Sequence, residues 1–181
     1  VRLNYLNLQN NRFSGPLPAE IGKMTGLTLL DLTSNRFSGP LPEEIGRLIH
    51  LRSLLLSENE FSGELPETLG NLINLRNFYV KTNRLSGPFP VVLTKLVKLE
   101  YLNLSFNNFS GTIPAEIGNW EELKHLYLWK NQFSGSIPPS IGKLRNLTEL
   151  SLGENRLSGE LPKELGQLEN LVRVYLNNNM F

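Results

Sequence analysis

Between Glu122 and Phe133 the sequence reads ELKHLYLWKNQF, and seven consecutive residues there hold Lys124, His125, Tyr127, Trp129 and Lys130. A histidine titrates near neutrality and can serve as acid, base or metal ligand. His125 has one acidic counterpart at a meaningful spacing, Glu149, 24 residues further on. A pair of that kind could work as general acid and base if a cleft held it. The rest of the chain argues against catalysis. The only other histidine is His50, the only aspartate is Asp31, and there is no cysteine. No transition-metal site can be assembled from that set. No glycine-rich phosphate loop is present, and no cofactor is implied. The expectation is a non-catalytic protein, and what remains is the chemistry of contact. Tyr and Trp are rigid, apolar in the body and polar at the tip, the type enriched at binding hot spots.

Those side chains are positioned by a repeat. Leu3, Leu27, Leu51, Leu75, Leu99, Leu123, Leu147 and Leu171 are each 24 residues apart and mark position 1. Position 9 is Asn11, Asn35, Asn59, Asn83, Asn107, Asn131, Asn155 and Asn179. Ser-Gly at positions 12 and 13, and Pro at position 16, each recur seven times. The chain is therefore one domain, residues 1–181, of seven full repeats from Leu3 and part of an eighth.

Each feature has a mechanical reason. The segment L-x-x-L-x-L alternates at its end, which predicts a short strand with leucines inward. Strands one repeat apart would stack in a parallel sheet at about 4.8 Å. The Asn amide can both donate to and accept from turn backbone, so the eight-member Asn ladder is expected to be scaffold. Ser-Gly supplies a turn with permissive φ, and Pro stiffens the return path. Ile or Leu at position 19 and a bulky apolar residue at position 22 fill the core from the convex side.

The frame L-x-x-L-x-L-x-x-N-x-[LF]-S-G-x-[LIF]-P-x-x-[LI]-G-x-L, seen clearly in NRFSGPLPEEIGRL (35–48), resembles the plant-type leucine-rich repeat. That family includes ectodomains of receptor-like kinases and receptor-like proteins, and secreted polygalacturonase inhibitors. The resemblance implies an α/β-type solenoid, mostly strand and loop: a right-handed superhelix with a parallel concave sheet, and extra short strands and 3₁₀ turns outside. Plant members usually carry cysteine caps, which are absent here, so the expectation is an internal fragment of a longer protein. Repeat four departs from the frame. FPVVLTKLVK (89–98) has Thr94 where six repeats have Gly, and Val91 and Val92 where the others are mostly polar. Local repacking is expected there, with a second contact patch as the alternative.

The variable positions carry the functional information. Position 5 runs Asn7, Asp31, Leu55, Tyr79, Asn103, Tyr127, Ser151, Tyr175, and position 7 runs Gln9, Thr33, Ser57, Lys81, Ser105, Trp129, Gly153, Asn177. Large and small rows alternate from repeat four, which predicts ridges about 9–10 Å apart with slots between them. Repeats two and three have no aromatic residue at positions 3, 5, 7 or 8. The candidate ligand-binding residues are Tyr79, Lys81, Tyr101, Phe106, His125, Tyr127, Trp129, Lys130, Gly153 and Tyr175. Arg36, Glu60 and Arg84 at position 10 read as a surface charge ladder.

The expected function is a recognition module that binds a peptide, protein or glycan on the concave face of a receptor-like protein. An inhibitor of the polygalacturonase-inhibitor kind is the alternative, although those use a largely acidic concave surface and this one mixes signs. A scaffold segment without its own ligand is another. Ice binding, seen in a few relatives, needs a regular array that position 7 lacks. Some peptide-hormone receptors of the family carry arginines at positions 5 and 7 of one strand to hold a terminal carboxylate, and no strand here has that pair. With 18 basic and 17 acidic residues, nothing favours nucleic acid or direct membrane contact, and tethering would come from flanking regions. The sequons at Asn103, Asn108 and Asn146 suggest a secreted or cell-surface glycoprotein. With 21 Asn and 22 Ser or Thr, three sequons are close to chance, which leaves a cytoplasmic setting open. A glycan on Asn103 would fill the first slot.

Overall fold

The computed structural model describes residues 2–181 as two parallel sheets joined by short 3₁₀ turns. The concave sheet has eight strands of three residues: Tyr5–Asn7, Leu29–Asp31, Ser53–Leu55, Asn77–Tyr79, Tyr101–Asn103, His125–Tyr127, Glu149–Ser151 and Arg173–Tyr175. Each pairs in parallel with the strand 24 residues on, as in Leu6↔Leu30 and Leu126↔Leu150. The middle residue points inward. Leu30, Leu54, Phe78, Leu102, Leu126 and Leu150 are completely buried, and positions 3 and 5 face outward between them.

A second sheet of seven strands, from Ser14–Gly15 to Arg156–Leu157, runs outside the first, as the family resemblance implies. Its inward residues stack ring on ring: Phe37 and Phe61 lie 6.0 Å apart at 3°, and Phe109 and Phe133 lie 6.3 Å apart at 6°. The glycine of each Ser-Gly turn has φ between 73° and 92°, where a side chain would be strained. Seven five-residue 3₁₀ turns follow, from Ala19–Lys23 to Lys163–Gln167, each preceded by the position 16 Pro. Among the described residues no helix is long and apolar enough to cross a membrane.

The asparagines stitch adjacent repeats together. Asn107 Nδ2 donates to Val80 O (2.9 Å), Leu104 O (3.1 Å) and Ser105 O (3.2 Å), and its Oδ1 accepts from the Leu85 N–H (3.0 Å). Cross-repeat bonds of this kind recur at Asn35, Asn59, Asn83, Asn131, Asn155 and Asn179. Among the described residues the Asn11 side chain bonds only to Leu8 O and Gln9 O in its own repeat.

The turn before each Asn holds a feature that sequence reasoning missed. Position 8 is left-handed in all eight repeats, with φ from 51° to 57°, and none of the eight residues is glycine. Residue types there are too mixed to signal it. Backbone bonds hold the conformation: the Asn10 N–H donates to Thr33 O and the Phe106 N–H to Trp129 O, one repeat onward.

Repeat four is repacked. Gly is needed at position 20 because neighbouring turns touch there; a Cβ on Gly46 would sit 2.4 Å from Thr68 O. Thr94 replaces it, is buried, and donates its hydroxyl to Val91 O (2.7 Å). The next repeat answers with Trp120, fully buried, whose Nε1 donates to Leu93 O (3.0 Å) and whose ring leans on Phe89 at 6.2 Å. Val92 is buried and Val91 is half exposed.

Candidate functional site

The register places the outward columns side by side. Tyr79 lies beside Asn103, Asn103 beside Tyr127, Tyr127 beside Ser151, and Ser151 beside Tyr175. A depression of about 480 Å³ opens on this face. Five of the ten candidates line it: Lys81, Phe106, Tyr127, Trp129 and Tyr175. Asn103, Ser105, Glu149, Ser151 and Asn177 complete the lining. From the sequence, Ser105 and Ser151 belong to the small rows between ridges, and Glu149 is the neighbour of His125 in the next repeat. Their places in columns 3, 5 and 7 were the available signal. The volume falls within the roughly 300–1,000 Å³ of ligand pockets.

Tyr79, Tyr101, His125, Lys130 and Gly153 lie outside the lining. Gly153 differs from expectation most. It is buried rather than the floor of an open slot: a Cβ there would meet Asn177 Oδ1 at 2.8 Å and Trp129 Cδ1 at 3.1 Å. The Trp129 indole already covers it. Trp129 is held by Phe106, edge to face at 5.1 Å, and its Nε1 is buried with no hydrogen-bond partner.

Behind Tyr127 lies an aromatic row. Tyr101 meets His125 edge to face at 4.8 Å, and His125 meets Tyr127 at 5.6 Å. The Tyr127 hydroxyl lies 2.9 Å from His125 Nδ1. His125 and Glu149 are in register but engage other partners; Glu149 accepts from Arg173 Nη2 (2.7 Å) and Nε (2.9 Å). Burial, and next the Glu149 carboxylate, push the Tyr127 hydroxyl up to about 12. Burial holds His125 below its usual value, against the opposing pull of Glu149. Burial raises Tyr79, and Tyr101 adds to that.

One charged row was not anticipated. Glu100 bridges Lys124 (2.7 Å) and Arg76 at position 2 of three consecutive repeats. The hydrogen bond from Lys124, then that from Arg76, lowers the Glu100 carboxyl. In the expected position 10 ladder, Glu60 and Arg84 pair at 2.9 Å, while Arg36 has no such partner among the described residues. Of the sequon residues, Asn103 faces the depression and its Oδ1 accepts from the Ser105 N–H (3.0 Å). Asn108 is exposed on the outer sheet, and Asn146 is exposed with Nδ2 donating to Glu121 O (2.9 Å).

The fold and face define a repeat solenoid with an aromatic-walled concave depression. Leucine-rich repeat models match residues 2–24, 26–48, 50–72, 98–120 and 121–181, and the chain belongs to the leucine-rich repeat family. Residues 73–97, which hold most of the irregular repeat, fall between the matches. A comparison with curated proteins finds no match.

Among solved structures the chain is similar to a TDR receptor, at 35% identity and TM-score 0.95, over 99% of this chain and 31% of that one. It is similar to the Arabidopsis receptor kinase HAESA, solved with the peptide hormone IDA and the co-receptor SERK1, at 38% identity and TM-score 0.94, over 98% and 30%. A leucine-rich repeat protein of Leptospira interrogans matches at 37% identity and TM-score 0.85, over 97% and 43%. The chain spans about three tenths of the length of the two receptors.

Proposed function

We propose that this solenoid is the ligand-recognition segment of a receptor-like protein at the cell surface, and that a peptide or protein lies across its concave face. The observation that carries this is the depression walled by Phe106, Tyr127, Trp129 and Tyr175, on a face whose first three repeats are mostly polar or aliphatic at the same positions. Exposed aromatics held by neighbours, over accessible hydroxyls and amides, are what a binding hot spot requires. The likeness to HAESA, solved with a peptide hormone, supports the class of ligand. Asn108 and Asn146 are the sequons at which a glycan would leave the depression open.

The test begins with a peptide, protein and glycan screen against the wild type. Trp129→Ala should weaken the selected ligand by about 2 kcal/mol, roughly thirtyfold. Gln9→Ala, at the same position in repeat one, should change nothing. If both variants bind every hit as the wild type does, the aromatics serve the strand alone.

A further inference from the structure

Lys81 and Lys130 set their ammonium groups over one ring. The nitrogens lie 5.5 Å and 5.1 Å from the centre of Phe106, so three consecutive repeats converge on that side chain. Phe106 is itself unusual. Its φ is 56°, and the seven other residues at this left-handed position are Asn10, Ser34, Glu58, Thr82, Lys130, Glu154 and Asn178. An aromatic side chain is uncommon in that region, and a backbone bond from the Phe106 N–H to Trp129 O holds it there, as in the other repeats that another follows. A ring face holds a cation in place without neutralising it.

The charges beside the depression do not balance at this corner. Among the described residues no carboxylate lies within 4.0 Å of Lys81, and Lys130 reaches Glu154 only at 4.0 Å. The one carboxylate lining the depression, Glu149, is taken by Arg173. Positive charge is therefore left free beside the Phe106–Trp129 wall.

We propose that the ligand segment crossing repeats four to six is anionic: Lys81 and Lys130 receive its acidic groups while Phe106 and Trp129 take its carbon body. This rests on the concave-face function proposed above. The two ammonium groups are no more than about 11 Å apart, since both lie near one ring centre. An extended chain rises about 3.3 Å per residue, so acidic groups on nearby residues can reach both.

The test uses the whole chain and three ten-residue Gly-Ser peptides with a central Asp-Gly-Asp, phosphoserine-Gly-phosphoserine or Asn-Gly-Asn. Binding is read by tryptophan fluorescence and calorimetry at fixed ionic strength. Saturable binding of the Asp or phosphoserine peptide, at least tenfold tighter than the Asn peptide, is expected, and the better of the two names carboxylate or phosphate as the preferred group. Lys81→Ala and Lys130→Ala should each weaken it about fivefold, the upper range for a partly exposed charge pair. Lys163→Ala, on an outer turn, should not. The proposal is overturned if neither acidic peptide saturates, if the Asn peptide binds as well, or if the double lysine variant keeps wild-type affinity. Neutral ligands that bind in a Trp129-dependent way would leave the concave-face function standing and remove only its acidic partner.

Discussion

Replacing Asn107 by Ala tests the scaffold at its best-defined joint. Asn107 is 8% exposed, and its four hydrogen bonds reach two repeats. The lost contacts are not equal. Val80 O also accepts from Asn83 Nδ2, and Leu104 O from Asn131 Nδ2, so those carbonyls keep a partner. The Leu85 N–H has Asn107 Oδ1 as its acceptor, and Leu85 is fully buried. An orphaned buried donor costs about 1–3 kcal/mol. Asn11→Ala removes bonds within one exposed repeat and should cost under about 1 kcal/mol. Asn107→Asp separates the two halves of the amide. It keeps the acceptor for Leu85 but turns an acceptor toward three carbonyls, and should cost at least as much as Ala at neutral pH. Urea unfolding followed by circular dichroism gives the three values. Equal small losses at Asn107 and Asn11, or a tolerated Asn107→Asp, would refute the reasoning.

Trp120→Ala should cost about 3–5 kcal/mol in the same assay, because it empties the volume of a fully buried indole; Leu93 O loses one of two donors and keeps the Leu96 N–H. Gly153→Ala should shift tryptophan emission while leaving the circular dichroism spectrum unchanged, since the added carbon meets Trp129 Cδ1 at 3.1 Å; an unmoved emission maximum would contradict the packing. Burial lowers the His125 pKa in the folded state, so the unfolded chain binds the proton more readily. Its contribution to stability is present above about pH 6.5 and is lost as pH falls through the lower folded value; His125→Gln should flatten the stability–pH slope below pH 6.5. Glu100→Gln should change stability by no more than about 1 kcal/mol, and that loss should shrink in high salt.

The periodic part of the fold was legible because a solenoid writes each contact once per repeat. Leucines at inward positions, Asn at position 9 and Pro at position 16 recur with the contacts they make. The left-handed position 8 was not legible, since its cost is met by backbone bonds that tolerate Asn, Glu, Lys or Phe alike. The columns located the aromatic face but not the lean of its side chains. Spacing alone sets Gly153 beside Trp129 with room between them, and only the contact of Trp129 with Phe106 shows why that room is filled. His125 and Glu149 are adjacent, as their spacing predicts, but form no acid–base pair, because Tyr127 and Arg173 lie within better reach.

The two kinds of irregularity in this chain have different physical meanings. Thr94 breaks the rule on the inward, convex side, and its effect is absorbed at once: Thr94 bonds to Val91 O, and the buried Trp120 of the next repeat gives Leu93 O a second donor beside the Leu96 N–H. A fully compensated departure of that kind is a matter of packing. Phe106 differs on the outward side in its side chain alone, since its left-handed backbone is shared by all eight repeats and is held by the bond from its N–H to Trp129 O. Its ring stays half buried, and of the side chains gathered on it Lys81 has no carboxylate partner among the described residues, Lys130 reaches Glu154 only at 4.0 Å, and Trp129 keeps an unpaired Nε1. Groups left without partners on an exposed face are the reason the proposed ligand is placed on this side of the solenoid and not on the convex one.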